Sequence, residues 1–153
     1  MSRREFSKVS PVIWRSKRFL ALPDDGCRLL QLFFMTCQHQ NSAGCFRLPE
    51  GYACADLPGW SVEAYRVARA HLEAAELIVH DGQTEEIFVV GWFMFNPPMN
   101  PKHAASIITR ISAIESDRVR EIVEYEFREV NVAVSRVRSN GKDRPPSITD
   151  GRI

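Results

Sequence analysis

The chain has few of the features that mark an enzyme, a membrane protein or a secreted disulfide-rich protein. Its 153 residues contain only four cysteines, at positions 27, 37, 45 and 54, and their spacing fits no disulfide framework. No run approaches the roughly 20 apolar residues that a membrane-spanning helix needs. No apolar signal core follows the opening MSRREFSK. We therefore expect a cytoplasmic protein whose thiols stay reduced.

Motifs of common catalytic sites are also missing. The sequence has no glycine-rich phosphate loop, no GxSxG and no HExxH. The cysteines and His39 form the pattern C-x-H-x5-C-x8-C, which lacks the CxxC pair of typical zinc sites. Buried thiols acting as small apolar side chains explain this pattern better than a metal. We expect no enzymatic activity, no metal and no cofactor.

Basic residues are scarce in the middle of the chain. Residues 1–20 hold six basic residues and one acidic residue, whereas residues 21–100 hold four basic and ten acidic residues. Residues 101–153 hold ten basic and eight acidic residues, so the formal net charge of +1 hides a segregation. Because phosphate binding needs clustered lysine and arginine, contacts with nucleic acid are expected mainly from the chain ends.

An ordered series of elements is present between residues 44 and 90. The pattern predicts a strand at residues 45–48, a helix at 49–57, a second helix at 61–75, and two strands at 77–80 and 87–90. Pro58 and Gly59 break the helices apart, and Ser61 caps the second one. A helix-turn-helix followed by a hairpin is a winged helix, whose second helix usually enters the major groove of DNA.

Further elements are predicted on both sides of this series. We expect a strand at residues 6–9 and then a helix opened by Ser10 and Pro11, with Val12, Ile13, Trp14 and Phe19 facing a core. The helix at residues 27–37 is apolar on nearly all sides, which predicts burial at the centre of the domain. Beyond a proline-rich connector at residues 96–101, apolar stripes predict further helix, with a break near residues 116–117.

These patterns indicate a mainly α (α+β) protein. We interpret residues 1–101 as a winged-helix domain with a short β-hairpin wing, residues 102–138 as a C-terminal helical extension and residues 139–153 as a disordered tail. The apolar stripe of the extension must be buried. It either folds over the domain or pairs with a second chain in a homodimer through residues 104–137.

Several phrases of the sequence together resemble one family. They are KVSPVIW at residues 8–14, DDGCRLL at 24–30, GCFRLPEGY at 44–52, AHLEAAELI at 70–78 and FNPPMNPKH at 95–103. The series is similar to the winged-helix N-terminal domain of phage and prophage replication-initiation proteins, relatives of the DnaD-like primosome proteins. The resemblance implies binding to replication-origin DNA and recruitment of other replication proteins, such as a helicase or its loader.

Two departures from that family have structural consequences. The turn reads DLPGWS, where the family more often has DLGWS, so Pro58 is expected to shift the first helix of the motif relative to the second. Glu76 stands where glycine is expected after the second helix. A left-handed cap at that position costs a non-glycine residue about 1 kcal/mol.

The candidate DNA contacts fall into two groups. On the second helix, Ser61 lies at the N-terminus and Arg66 points outward. Arg69 flanks the core face, which helical spacing assigns to Tyr65, Ala68 and Leu72. The basic N-terminal flank contributes Arg3, Arg4, Lys8, Arg15, Lys17 and Arg18. The wing at residues 81–86 has no basic residue, and phosphates would repel Glu85 and Glu86, so we expect a solvated hairpin tip there.

We therefore predict a non-enzymatic protein that binds double-stranded DNA in replication initiation. An alternative function is that of a transcriptional regulator, which would bind DNA with the same winged-helix fold. The main alternative is an adaptor that binds other proteins, because Val67, Ala70 and Ala74 form a small apolar strip on the second helix. Such a strip suits helix packing as well as the methyl groups of thymine.

Overall fold

The structure is a computed structural model that describes the backbone of residues 5–142 and the side chains of residues 5–138. This part of the chain is mainly helical and has one small antiparallel sheet, which confirms the predicted mainly α, α+β class. Its elements are a 3-10 helix at Pro11–Arg15, α1 at Lys17–Leu20, α2 at Asp25–Thr36, β1 at Cys45–Arg47, α3 at Glu50–Asp56, α4 at Val62–Ala74, β2 at Ile78–Asp81, β3 at Glu86–Val89, α5 at Trp92–Phe95, α6 at Pro101–Ser112 and α7 at Asp117–Lys142. No helix within residues 5–142 has the length and apolar character needed to cross a membrane.

The central strand of the sheet is β3. The strand order is β1-β3-β2 with both pairs antiparallel, so the strand that precedes α3 extends the β2–β3 hairpin. In register, Ile78 lies opposite Val89 and Phe46 lies opposite Ile87. Every residue of β3 is buried. Because a strand paired on both edges has no free backbone groups, β3 provides a fixed base for the elements around it.

The core is centred where α2 packs against α4. The Oδ1 atom of Asp24 accepts a hydrogen bond from the Cys27 amide at 2.8 Å, which caps α2. From α2, the fully buried Phe34 meets Tyr65 of α4 edge to face, with 6.3 Å between ring centroids. The prediction that this helix is buried on nearly all sides is wrong, since Leu29 is 51% exposed. The helix lies at the surface and turns one face toward the core.

Helix α4 matches its prediction closely. The Ser61 hydroxyl accepts a hydrogen bond from the Ala64 amide at 3.1 Å and caps the helix. Tyr65, Ala68 and Leu72 are buried, which confirms the core face predicted from their helical spacing. One face of α4 is therefore fixed against the core and the opposite face is left to solvent.

Left-handed residues lie on both sides of α4. Gly59 has a φ of 82° in the turn between α3 and α4. Glu76 has a φ of 56° after the helix, as the sequence predicted, and the Leu77 amide then donates to the Leu72 carbonyl at 3.0 Å. Since the left-handed conformation brings Cβ close to the backbone, Glu76 holds this cap under strain of about 1 kcal/mol.

The C-terminal helices pack against the hairpin. Helix α7 contacts α5, α6, β2 and β3, and it buries Val119, Val123 and Phe127. The first half of the predicted apolar stripe is thus covered within the chain. The gap between α6 and α7 spans residues 113–116, next to the predicted break. Helix α7 continues to Lys142, so the start of the tail predicted at residues 139–153 is helical and its remainder lies outside the described residues.

The N-terminal segment differs from its prediction. Residues 6–9 form no strand, because they pair with none of the strands of the sheet. Val12 and Trp14 were expected in the core, but both are exposed and only Phe19 from this set is fully buried. The cause is the helix type: Pro11–Arg15 is a 3-10 helix with about three residues per turn, so the faces expected for an α-helix do not apply.

Candidate nucleic-acid interface

The solvent face of α4 is the first candidate surface. It presents Glu63, Arg66 and Val67, all exposed. The hydroxyl of Ser61 is already used by the helix, since it accepts from the Ala64 amide. What this face offers a partner is therefore one arginine, one carboxylate and a small apolar strip.

Glu50, the first residue of α3, binds both arginines of α4. Its carboxylate oxygens accept hydrogen bonds from Arg66 Nε at 3.0 and 3.1 Å and from Arg66 Nη2 at 2.8 Å. The same carboxylate accepts from Arg69 Nη1 at 3.1 Å. The hydrogen bonds from Arg66 are the main reason why the pKa of Glu50 lies below its ordinary value. We call Glu50, Arg66 and Arg69 the Glu50 cluster; its two guanidinium groups share one ionised carboxylate.

The two arginines of the Glu50 cluster differ in access. The side chain of Arg66 is 57% exposed, whereas that of Arg69 is 14% exposed. The Arg69 guanidinium lies over the Tyr65 ring, 5.3 Å from its centroid. Burial raises the pKa of Tyr65 to about 12, so this phenol stays neutral beneath the arginine. Arg66 can turn toward a partner, and Arg69 is mainly part of the helix packing.

Sequence reasoning missed Glu50. The residue lies 16 positions before Arg66 and 19 before Arg69, on the other side of the Pro58-Gly59 turn. Helical spacing relates residues three or four apart and carries no information across a turn. A glutamate in the first turn of a helix is also expected from the helix dipole alone. The angle between α3 and α4 had to be known before the contact could be found.

The second candidate surface is the N-terminal basic segment, residues 6–18. Lys8, Arg15 and Lys17 are exposed, and no ion pair between residues 5 and 138 includes any of them. The Nη1 atom of Arg18 donates to the Glu76 carbonyl at 3.1 Å. Arg3 and Arg4, also predicted as DNA contacts, lie outside the described residues.

The two surfaces lie toward opposite ends of α4. Arg18 reaches the carbonyl of Glu76, just after the C-terminus of the helix, while Ser61 caps its N-terminus. Thirteen residues separate these ends, which corresponds to roughly 20 Å at 1.5 Å per residue. The structure therefore does not gather the sequence-predicted contacts into one patch.

The hairpin tip is exposed at Gly82 and Gln83, as predicted, but its acidic residues are bound within the fold. Glu86 is buried, and its carboxylate accepts hydrogen bonds from the backbone amides of Ser116 at 2.8 Å and Glu115 at 3.1 Å. Asp81 accepts from the Ser116 hydroxyl at 2.6 Å, the main reason why its pKa is lowered. Glu85 pairs with Arg47 at 3.1 Å. The acidic residues of the tip mainly fix the hairpin to the start of α7.

A groove of about 540 Å³ runs along α4 on the side that faces α2. Trp60, Val67 and Ala68 supply apolar walls, and Asp24 and Glu63 add carboxylates. The Asp24 carboxylate is used by the α2 cap, and this hydrogen bond to Cys27 lowers its pKa. An acidic and apolar groove disfavours phosphate and suits a protein side chain better.

The cysteines are free thiols in this structure. Cys27, Cys37 and Cys45 are buried, and burial raises the pKa of each, to about 12 for Cys45. The Nε2 atom of His39 lies 3.1 Å from Asp56 Oδ2 rather than beside a thiol. Between residues 5 and 138, the structure brings no three His, Cys, Asp or Glu side chains together in a way that could hold a metal ion.

Comparison with known proteins finds no matching family model, no matching curated protein and no matching solved structure. The likeness to replication-initiation proteins is therefore carried by the sequence phrases alone. Any functional conclusion has to come from the two surfaces described above.

Proposed function

We propose that this chain is a winged-helix protein that binds double-stranded DNA without catalysing a reaction. The observation that carries the proposal is the exposed face of α4. This helix follows α3 after a short turn, precedes the β2–β3 hairpin and buries its opposite face against α2. A helix that is anchored on one face and exposed on the other is the arrangement with which helix-turn-helix proteins read a major groove.

Arg66 is the contact that this arrangement favours. It is exposed, and its bidentate pairing with Glu50, from Nε to Oε1 and from Nη2 to Oε2, has the fork geometry that also suits a phosphate or the O6 and N7 atoms of guanine. On binding, Arg66 exchanges the Glu50 carboxylate for a DNA acceptor. Since that exchange costs an ion pair, α4 supplies orientation and only the smaller part of the affinity.

Affinity in this proposal comes from the N-terminal basic segment. Lys8, Arg15 and Lys17 have no carboxylate partner in the described part of the chain, so they are available to neutralise phosphates. Each phosphate contact releases condensed counterions, which makes binding steeply dependent on salt.

The resemblance to phage replication-initiation proteins adds the cellular setting. It supports a cytoplasmic role at a replication origin, where the chain would help to assemble a helicase or its loader. The phrases that carry it span residues 8–103, which includes all elements from the 3-10 helix to the start of α6.

A DNA titration at two salt concentrations tests the proposal. We expect a labelled 20-base-pair duplex to bind the full chain by fluorescence anisotropy, with affinity falling steeply between about 50 and 200 mM salt. Arg66→Ala should reduce affinity about tenfold by removing one bidentate contact. Binding that ignores salt, or is untouched by Arg66→Ala, would exclude groove insertion by α4.

A protein-binding adaptor is the second candidate, and the groove beside α4 favours it. Two carboxylates and apolar walls there would repel DNA and accept a basic or apolar peptide.

The C-terminal half of α7 carries the exposed Val132 and Val137, which fits a homodimer through residues 104–137. Light scattering decides the dimer: a monomer mass throughout the micromolar range would exclude it.

A further inference from the structure

The N-terminal basic segment displays aromatic side chains that the fold does not use. Trp14 is 60% exposed and Phe6 is 72% exposed. Both belong to the largest apolar side chains, which gain most from burial. Val12 is exposed beside them in the sequence. None of these side chains contributes to the buried core, so their exposure has no explanation in folding.

This exposed surface is held in place by ordered structure. The Ser10 hydroxyl accepts from the Val12 amide at 3.3 Å, and the Ser16 hydroxyl accepts from the Phe19 amide at 3.4 Å. The Trp14 ring meets the buried Phe19 ring edge to face, with 5.7 Å between centroids. The tryptophan is thus anchored by its contact with Phe19 while much of its surface is left to solvent.

Charge identifies the kind of partner. Lys8, Arg15 and Lys17 surround the aromatic residues in sequence and have no ion pair within residues 5–138. Cations beside an exposed aromatic ring fit a polyanion that also carries flat, stackable groups. Single-stranded nucleic acid has both. Bases in a duplex are already stacked on their neighbours, so a duplex offers the phosphates without the free faces.

A membrane surface would also attract bases and aromatics, but the geometry favours it less. The helices of this segment have five and four residues. Interfacial membrane binding uses a long amphipathic helix with a continuous apolar face. An isolated ring with separated cations corresponds better to the aromatic platforms that bind single strands.

We propose that the N-terminal basic segment binds single-stranded DNA, with a base stacked on Trp14 and phosphates paired with Lys8, Arg15 and Lys17. This goes beyond the proposed binding of duplex DNA, because it does not require α4 to enter a groove. The same cations meet the phosphates of either form of DNA, and Trp14 adds a contact that only an unpaired base can make.

The test uses the full chain and three probes: a labelled 12-residue oligothymidylate, an abasic deoxyribose-phosphate strand of equal length, and phosphatidylserine vesicles. Trp14→Leu keeps an apolar side chain but removes the ring. We expect it to weaken oligothymidylate binding about tenfold and to leave abasic-strand binding unchanged. Tyr52→Leu is the matched control, since Tyr52 is exposed outside this segment, and it should bind as the unaltered chain does.

Fluorescence gives a second measurement. Oligothymidylate should quench the emission of Trp14 but not that of Trp60 in the groove beside α4 or of the buried Trp92, so Trp14→Leu should abolish the quenching. Trp14→Phe keeps a ring and should retain most of the affinity, which guards against a variant that merely folds poorly. Circular dichroism of each variant checks the fold.

Three results would overturn the proposal. The unaltered chain could bind the abasic strand as tightly as oligothymidylate, Trp14→Leu could bind oligothymidylate normally, or Trp14→Leu could lose binding to vesicles alone. The duplex titration tests the proposed function independently. Binding of single strands without binding of duplex would support this inference and reject the proposed function. Binding of duplex without binding of single strands would reject this inference and support the proposed function.

Discussion

Two regions of this chain carry the basic side chains predicted as DNA contacts, and the regions differ in what surrounds those side chains. On α4, Arg66 and Arg69 lie on a rigid helix but share the Glu50 carboxylate. In the N-terminal basic segment, Lys8 lies before the 3-10 helix and Arg15 at its end, and neither has an ion pair in the described part. The rigid helix and the unpaired cations therefore lie in different parts of the molecule. This indicates that α4 mainly orients a bound DNA and that the N-terminal basic segment supplies most of the affinity.

Removing the unpaired charge should produce the largest effect. We expect the triple substitution of Lys8, Arg15 and Lys17 by alanine to lower duplex affinity about 100-fold near 0.1 M salt and to reduce the salt slope by about 3. Anisotropy titrations at several salt concentrations measure both. A matched control replaces Lys102, Arg110 and Arg128, which are exposed on the C-terminal helices. An equal loss of duplex affinity in the control would mean that only the net charge of the chain matters. The N-terminal basic segment would then have no special role.

The hairpin should show that its acidic charge serves the fold. Glu86→Ala leaves the buried amide of Ser116 and the part-buried amide of Glu115 without their acceptor, which we expect to destabilise the chain by about 2 kcal/mol. Glu85→Ala removes only an ion pair at the surface and should cost under about 0.5 kcal/mol. Urea unfolding measures both variants. Equal destabilisation would mean that Glu86 does not fix the hairpin to α7.

Removing the carboxylate that binds Arg66 and Arg69 should leave α4, like the N-terminal basic segment, with unpaired basic side chains. Glu50→Gln removes the charge that holds Arg66, so we expect duplex affinity to rise about tenfold because binding no longer has to break this ion pair. Glu63→Gln changes the net charge equally without releasing an arginine and should have a smaller effect. Combining Glu50→Gln with Arg66→Ala should cancel the gain. Identical gains from Glu50→Gln and Glu63→Gln would contradict the exchange mechanism.

Lowering the pH should not reproduce the gain in duplex affinity that is expected from Glu50→Gln. Because Arg66 keeps the pKa of Glu50 below its ordinary value, the carboxylate stays ionised as the pH falls from 7 to 5.5. The ion pairs with α4 are present above the unfolded pKa and are lost only as the pH falls through the lowered pKa. Duplex titrations at both pH values should therefore show no gain that depends on Glu50. A gain at pH 5.5 that Glu50→Gln abolishes would contradict this.

A small effect on stability is expected at Glu76, where Arg18 of the N-terminal basic segment contacts the end of α4. Glu76→Gly relieves the left-handed backbone at φ 56°, and after the added freedom of the unfolded chain we expect a stabilisation of about 0.5 kcal/mol. Thermal unfolding would show a rise of about 1–2 °C. Glu73→Gly, inside α4, should instead destabilise by about 1 kcal/mol. The Arg18 contact uses the Glu76 carbonyl and survives the substitution.

Local chemistry accounts for the elements that were predicted correctly. The Ser61 cap, the buried Tyr65–Leu72 face and the left-handed Glu76 each depend on residues a few positions apart. The same reasoning failed for Trp14, because the choice between a 3-10 helix and an α-helix changes which side chains share a face. It also failed for Glu86, whose hydrogen-bond donors lie about 30 residues further along the chain.

The sequence by itself determined the order of helices and strands between residues 44 and 90, the core face of α4 and the segregation of charge, since these follow from spacing, capping and composition. Only the tertiary structure decided which charges are available. Glu50 reaches Arg66 and Arg69 across a turn, and Glu86 reaches the start of α7, because packed helices place residues distant in sequence within hydrogen-bond range. Lys8, Arg15 and Lys17 lie beyond the reach of any such carboxylate in the described residues, and this difference separates the two surfaces.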